Sequence, residues 1–511
     1  MKLTDSQKDA INYNGNILVA AAAGSGKTAV LVERVVKKLC DSENPISADR
    51  LLIVTFTNAA AAEMRSRIEK RLDEECGKNP QNTALYMQKY LLSNAKICTI
   101  DSFCIDLVRE NFEVLDISPD FTMVDASSLK AIYDRGISEI IGEFLENNDP
   151  RFAQLMDLVG SEYDEKDFAG FVVRLYEYSR QLPDPDGWYD YLCSLYSEGE
   201  FKTDNYWVSY ALNKALDTAV SSREMLARAV DNLSVDSNMA DKFMPVFISA
   251  GEGLEKLYNA ALTKNWDKVY SVLKDIYFPS LPRVNGSNDI PEIKSAKDIY
   301  SNVKLNVVEN LGELFYGDSA FLDTQFKKIY PLVCLLRDIL KEFDQKVFEN
   351  LKAENIFTFH NTEALALKLL TGENAHEFLS LYDEVCVDEY QDTNDLQNML
   401  FYVLSNKDSR LFAVGDVKQS IYGFRGANPS HFLEKKRSHI AVGEAKAGEP
   451  IKIILGNNFR SRPEVCDFIN YFFKLFMTEK TGEIVYDEEE MLIPSGNFSP
   501  TDFPKVSVSI I

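Results

Sequence analysis

Positive charge is what this chain has too little of. Its 511 residues carry 55 Lys and Arg against 79 Asp and Glu, a formal net charge of −24. That balance excludes a uniformly basic nucleic-acid coat, because phosphate binding is driven by Lys and Arg; a local basic groove stays open. Histidine is scarce, at four residues, and the eight cysteines include no C-x-x-C pair. The pattern predicts free thiols, a reducing cytoplasmic setting and no structural metal. No apolar run approaches the roughly 18 residues of a membrane helix, and the opening MKLTDSQKDAINYNGN has no apolar core of the signal-peptide kind. Internal repeats and low-complexity tracts are absent as well. What is there is ordinary globular composition, 45% hydrophobic and 26% charged, with length for about three domains.

The acidity is uneven. Residues 1–120 carry 15 basic and 17 acidic side chains, 121–350 carry 24 and 38, and 351–511 carry 16 and 24. Pattern changes at similar places. Up to residue 112, short apolar runs alternate with helical ones: Ile17–Ala23 then a helix from Lys27, Leu51–Thr55 then a helix from Asn58, and Lys96–Thr99 then a helix from Asp101. Such units predict a parallel sheet with crossover helices, its strands apolar throughout because both faces are covered. From 113 to 350 the pattern is helical, over Ala126–Glu146, Glu165–Gln181, Asp204–Leu233, Met239–Asn265 and Gln325–Phe359, with loops at Leu182–Gly187 and Pro279–Asn288. Strand rhythm resumes at Glu384–Asp388, Arg410–Val414 and Ile451–Leu455. The expectation is one α/β domain split by a helical insertion.

The strongest local signal is Ala21-Ala22-Ala23-Gly24-Ser25-Gly26-Lys27-Thr28, after a strand and opening a helix. It fits a phosphate-binding loop, with Ala21 where the first Gly usually stands. Small residues at Ala23, Gly24, Ser25 and Gly26 let backbone N–H groups turn inward as an anion nest at a helix N-terminus. Lys27 would reach the β- and γ-phosphates of ATP, and Thr28 would put its hydroxyl on Mg²⁺. The complementary half is Val385-Cys386-Val387-Asp388-Glu389-Tyr390-Gln391-Asp392, a strand ending in two acids at the sheet edge where ligands of open α/β folds bind. Asp388 would hold Mg²⁺ and Glu389 would orient and deprotonate the attacking water. Gln7, about twenty residues before the loop, has an amide able to read the adenine edge.

Three further segments point to nucleic acid. Thr55-Phe56-Thr57-Asn58 sets an aromatic at a strand end, where it could stack a base while hydroxyl and amide groups hold phosphates. Thr99-Ile100-Asp101-Ser102-Phe103 repeats a polar strand end, although Asp101 reads more simply as a helix N-cap. Val414–Ala427 joins Gly-Asp, Gln419, Tyr422, Phe424 and Arg425, a composition that could couple nucleotide state to a grip on bases. Across 410–440 six basic residues face two acidic ones. Arg460, in Asn458-Phe459-Arg460-Ser461-Arg462, could approach the γ-phosphate from a second domain, with Phe459 near the adenine.

Gln7, AAAGSGKT, TFTNAAAAEM, TIDSF, VDEYQDTN, VGDVKQSIYGFRGA and NNFRSRPE stand in the order and chemistry of the UvrD/Rep-type superfamily 1 helicases, which this chain resembles. ILVAAAAGSGKTAVLVERVV and the gap of more than 280 residues between TIDSF and VDEYQD are similar to the AddA (RecB-like) family of helicase/nucleases. The resemblance implies a RecA-like P-loop ATPase domain over 1–112 and 351–449, a helical insertion domain over 113–350, and the start of a second RecA-like domain over 450–511. It implies ATP hydrolysis by Lys27, Thr28, Asp388 and Glu389, with Gln419 and Arg460 sensing the γ-phosphate and Gln7 and Phe459 on the adenine. Phe56, Thr57, Asn58, Asp101, Ser102, Phe103, Tyr422, Phe424 and Arg425 would touch single-stranded DNA. It further implies 3'–5' helicase activity in double-strand-break repair and recombination, and an AddB-like helicase/nuclease partner.

Two features depart from the family. Its Phe-Ser-Asp-Leu segment appears as Phe359-His360-Asn361-Thr362. The chain stops at Lys505–Ile511, a strand-like run, which predicts an N-terminal fragment without the rest of the motor or the nuclease. A stand-alone UvrD/Rep-type repair helicase and an ATP-gated assembly protein remain alternatives. The acidic insertion and the cluster Tyr486–Glu490 are expected to repel DNA from surfaces outside a basic, aromatic-lined channel.

Overall fold

A computed structural model describes residues 3–159, 165–197, 199–373, 375–499 and 506–507. Apart from 506–507, the run Lys505–Ile511 lies outside the described residues. The chain divides into two compact units: 1–135, 173–185 and 346–511 form the first, and 136–172 and 186–345 the second.

The first unit is built on a seven-stranded sheet. Its strands are β1 (Ile17–Ala21), β2 (Leu51–Thr55), β3 (Lys96–Thr99), β4 (Glu384–Val387), β5 (Leu411–Gly415), β6 (Ile440–Ala441) and β7 (Ile451–Leu455). The order is β3-β2-β4-β5-β1-β7-β6, parallel at every pairing. Ile17, Val19, Ile53, Cys386, Phe412, Val414 and Ile453 share one buried cluster with Ala10, Val35, Met64 and Ile68 from the helices Asp5–Asn12, Lys27–Leu39 and Asn58–Lys78. The alternate residues Leu18, Leu52, Val54, Val385 and Ala413 are buried as well, as expected of a parallel sheet covered on both faces. The α/β reading therefore holds.

Its boundaries do not all hold. The division expected at residue 450 falls inside the sheet, because β7 pairs along its whole length with β1, Ile17 to Ile451 through Ala21 to Leu455. Periodicity cannot say which sheet an apolar strand joins. The helix expected over Gln325–Phe359 instead spans Ser319–Ala353. It gives way at Asn355, in the left-handed region at φ 54°, to a short strand Ile356–Phe357 and a new helix Phe359–Thr371 capped by Thr358. Half of the loop expected at Leu182–Gly187 is helix, since Pro185 opens Pro185–Ser194 at a position where proline's absent N–H costs nothing.

The second unit is helical among its described residues. Tyr206–Leu233, Ser237–Leu262, Trp266–Asp275 and Pro291–Lys304 bury Val208, Phe247, Leu254, Trp266 and Tyr300 in a common cluster. Trp266 donates its indole N–H to Gly317 O at 2.9 Å, which satisfies its one polar atom.

At the end of the sheet away from the motifs, Glu384 lies buried between Arg34 and Lys38, with Arg34 Nε at 2.6 Å. Arg34 also donates to Ala10 O and Tyr13 O and stacks on Phe412. This pins the first helix of the chain to the start of β4, and with it the register of the strand that ends in Asp388.

Candidate active site

Both halves of the phosphate site arise from strand ends at one sheet edge. After β1 the chain turns through Ala22–Gly26, where Gly24 and Gly26 adopt φ of 69° and 85°, a region that favours glycine. Gly24 is needed for a second reason: a Cβ there would lie 2.8 Å from Arg460 Cβ. The helix Lys27–Leu39 follows directly. After β4, Glu389 sits at φ 55° and a short turn Tyr390–Asp392 begins. These turns bring Lys27 Nζ within 2.7 Å of Glu389 Oε2, across 362 positions of sequence.

The loop is braced from two sides. Gln7 is 4% exposed; its Nε2 donates to Ser25 O at 3.0 Å and its Oε1 accepts from Thr4 N at 2.9 Å. Its amide therefore supports the loop and caps its own helix. Asn458, to which sequence reasoning assigned no role, donates Nδ2 to Ala23 O at 2.8 Å, while its Oδ1 accepts from the backbone N–H groups of Arg460 and Ser461. Phe459 N donates to Gly24 O at 3.0 Å. Phe459 and the exposed Arg460 thus flank the loop within the same unit. Ser25 Oγ is buried without a hydrogen-bond partner in the protein, and such a group is stabilised by an incoming acceptor.

The acids share one corner. Burial, followed by the charge of Glu389, pushes the Asp388 carboxyl up to about 6. Burial and Glu389 do the same to Asp392. Thr28 and Asp388 offer hydroxyl and carboxylate oxygens, the donor chemistry of a hard divalent cation. Among the described residues no three acidic, His or Cys side chains converge as a cage, but Mg²⁺ commonly takes one or two carboxylates and completes its shell with water and phosphate oxygens. The residues fit Mg²⁺.

A raised carboxyl pKa has a cost. The native chain keeps on Asp388 a proton that the unfolded chain, with a value of 3.8, gives up. Its contribution to stability therefore falls as pH rises from about 4 to about 6. Asp388→Asn keeps the oxygen that accepts from Glu389 N and removes the buried charge. It should stabilise the protein by about 1–2 kcal/mol at pH 7.5 and hardly at all at pH 4, as compared by thermal melts at the two pH values.

Beside the acids lies an aromatic surface. Phe56 and Tyr422 stack with ring centroids 4.8 Å apart and planes inclined by 29°. Phe424 is 79% exposed, and the Arg425 guanidinium lies 5.4 Å from the Tyr422 ring centroid and 5.6 Å from that of Phe424. A cavity of about 600 Å³ runs from Asp388, Glu389 and Asp392 past Phe56 and Tyr422 to Asp101 and His360. Asp101, pushed up to about 6 by burial and by Glu363, faces this cavity.

Several expected contacts look different here. Phe103 is 3% exposed and packs edge-on to Tyr382, because it lies on the apolar face of the helix Ile100–Glu110; no base can reach it. Asp101 is not the N-cap. Thr99 is, accepting from Ser102 N, and Ser102 Oγ bonds Thr99 Oγ1 at 2.9 Å. Thr57 spends its hydroxyl capping the helix that begins at the exposed Asn58. Gln419 donates Nε2 to Asp416 Oδ2 at 2.8 Å. The positive charge across 410–440 is largely internal: Lys418 pairs with Asp416 and Glu490, Lys435 with Asp408, and Lys436 with Glu490. The same pairs take up one acid of the cluster Tyr486–Glu490, since Glu490 is 5% exposed, while Asp487, Glu488 and Glu489 stay exposed.

All eight cysteines are free, and no described helix is long and apolar enough to cross a membrane. The family model of the UvrD/REP helicase N-terminal domain matches residues 3–248 and 319–440. The chain is 34% identical to the A subunit of the ATP-dependent helicase/nuclease of Acetivibrio thermocellus, over 96% of its own length and 40% of that protein. The corresponding protein of Clostridium acetobutylicum is 34% identical over 99% of this chain and 42% of its own, and that of a Thermoanaerobacter species 37% over 96% and 41%. The chain thus spans about 40% of the length of these relatives. With the phosphate-binding loop, the acidic strand end and the aromatic turn on one sheet edge, and more than half of the sequence matched, the chain belongs to the UvrD/REP helicase family.

Proposed function

We propose that this chain is the ATP-hydrolysing and DNA-gripping portion of an AddA-type helicase/nuclease that works on broken DNA ends. The observation that carries the reading is the 2.7 Å contact between Lys27 and Glu389, made beside the stack of the exposed Phe56 on the half-buried Tyr422. ATP seats its phosphates on the backbone N–H groups of Ala23–Gly26, with Ser25 Oγ donating and Lys27 balancing the β- and γ-phosphate charge. Gln7 and Phe459 flank the adenine, and Arg460 and Gln419 approach the γ-phosphate. Thr28 and Asp388 would hold Mg²⁺, which would supply further charge neutralisation on the phosphates. Glu389 orients the attacking water and takes its proton.

Single-stranded DNA lies over Phe56, Asn58, Ser102, Tyr422, Phe424 and Arg425. At 4.8 Å the Phe56–Tyr422 stack has no room for a base between its rings. Phe424 offers an open face, and insertion beside Phe56 requires Tyr422 to move away. A turn that swings with nucleotide state would grip and release bases in alternation. The segment after Leu455 is read as the beginning of a second RecA-like domain that closes over the loop. Translocation runs 3'–5', and the partner is an AddB-like helicase/nuclease.

The test uses the full-length protein and an oligo-dT strand. ATP turnover should rise at least about tenfold on adding the strand and disappear with chelation of divalent cations. An equal rate with and without DNA would remove the motor reading and leave an ATP-gated assembly role.

A further inference from the structure

Gln391 lies in the acidic run after β4, and its type alone marks it as no more than a polar turn residue. It is 1% exposed, and both ends of its amide are engaged. Nε2 donates to Glu389 Oε2 and to Asp392 Oδ2, each at 3.0 Å, and Oε1 accepts from Asp416 N at 2.9 Å. The Gln391 carbonyl accepts from Ser420 Oγ at 3.2 Å. The adjacent Gly415 is required by this arrangement: a Cβ there would lie 2.3 Å from Gln391 Oε1.

The bonds continue on both sides. Glu389 Oε2 is shared between Gln391 Nε2 and Lys27 Nζ. Asp416 in turn holds Gln419 through Oδ2, and Gln419 precedes by three residues the Tyr422 that stacks on Phe56. An unbroken chain of hydrogen bonds therefore runs from the loop lysine to the start of the aromatic turn. Only an amide of this length serves both ends, since a carboxylate would lose the donor to Glu389 and a hydrocarbon would lose donor and acceptor alike.

We propose that Gln391 is a positioning residue that couples the hydrolytic carboxylate Glu389 to the nucleic-acid-gripping turn 416–425. The inference rests on the roles of Glu389 and Tyr422 given above. When Lys27 turns toward a phosphate, Gln391 is the donor that still holds Glu389, and a displacement of that carboxylate reaches Asp416 through a single rigid amide.

Two unrelated substitutions dislodge the amide: Gln391→Met deletes it, and Gly415→Ala drives a methyl group into the space it fills. In the full-length protein each should lower DNA-stimulated kcat about tenfold or more and reduce the stimulation by oligo-dT, with KM for ATP and Kd for the oligonucleotide within about threefold of wild type. In the double variant Gly415→Ala should cost less stimulation than it does alone, since the amide it displaces is absent, while its remaining close approaches to Phe432 Cε2 and the backbone N of residue 391 show in the melting temperature. A purely structural role would move KM, Kd and melting temperature together, and that outcome overturns the proposal. So does wild-type stimulation in Gln391→Met, or full additivity of the pair. Lys27→Ala separates the two levels of inference: if it stays fully active the ATPase reading fails, whereas if it is inactive and Gln391→Met is unaffected only the coupling role fails.

Discussion

Glu389→Gln in the full-length protein should lower ATP turnover by about 10³-fold or more and leave nucleotide binding within a few-fold of wild type. The substitution is nearly isosteric. It keeps an oxygen facing Lys27 Nζ, now 2.7 Å from Oε2, and removes the carboxylate proposed to accept a proton from water. A nearby donor is also retained, since Gln391 Nε2 still finds an oxygen at position 389. Lys27→Ala should differ in kind. It leaves Glu389, Asp388 and Asp392 with no ammonium among them, and it withdraws charge from the phosphates in ground state and transition state alike. Turnover should fall by a similar factor, with nucleotide affinity weakened about tenfold or more as well. Steady-state ATPase assays with and without oligo-dT, together with titration of a fluorescent ATP analogue, distinguish the two signatures. Undiminished stimulated turnover in both variants would refute the assigned roles.

The shared location of these residues was legible because their signals are local. The nest residues Gly24 and Gly26, the lysine after them and the strand-end acids each need only a few neighbours in sequence, and β1 and β4 deliver them to one edge because parallel strands end on one side. What was not legible is what depends on partners far away in sequence. The six basic residues of 410–440 suggested a channel wall, yet Lys418 and Lys436 find Glu490, some 50 to 70 residues downstream. Phe103 resembles Phe56 as an aromatic near a strand end, yet one is 3% and the other 40% exposed. The difference lies in phase: Phe103 is inside a helix with its apolar face on the core, and Phe56 precedes a helix. The boundary set at 450 failed for a related reason, since only pairing with β1 shows that β7 completes the first sheet. Gln391 escaped notice because, of its four partners, only Glu389 had been assigned a role, and its bonds to Asp416 and Ser420 exist only once β4 and β5 lie side by side.

The aromatic turn should govern DNA affinity without governing nucleotide affinity. Phe424, 79% exposed, contributes little to folding, so Phe424→Ala should leave the melting temperature unchanged. It should weaken oligo-dT binding by about 1–3 kcal/mol, or roughly 5- to 150-fold, the worth of one stacked base. Phe56→Ala and Tyr422→Ala should each weaken binding within the same range, but their effects should not add, because the rings stack on each other at 4.8 Å and loss of either alters the surface left by the other. Arg425→Ala has a different diagnostic. The guanidinium lies against both rings, and if it also meets a phosphate, the slope of log Kd against log salt should fall by about 0.7. Tyr422→Ala should leave that slope unchanged, because stacking releases no counterions. Fluorescence anisotropy of labelled oligo-dT at several salt concentrations measures all four variants. An unaltered affinity in Phe424→Ala and Tyr422→Ala together would show that bases do not lie on this surface, and the 600 Å³ cavity beside it would then lack a route for DNA past the hydrolytic acids.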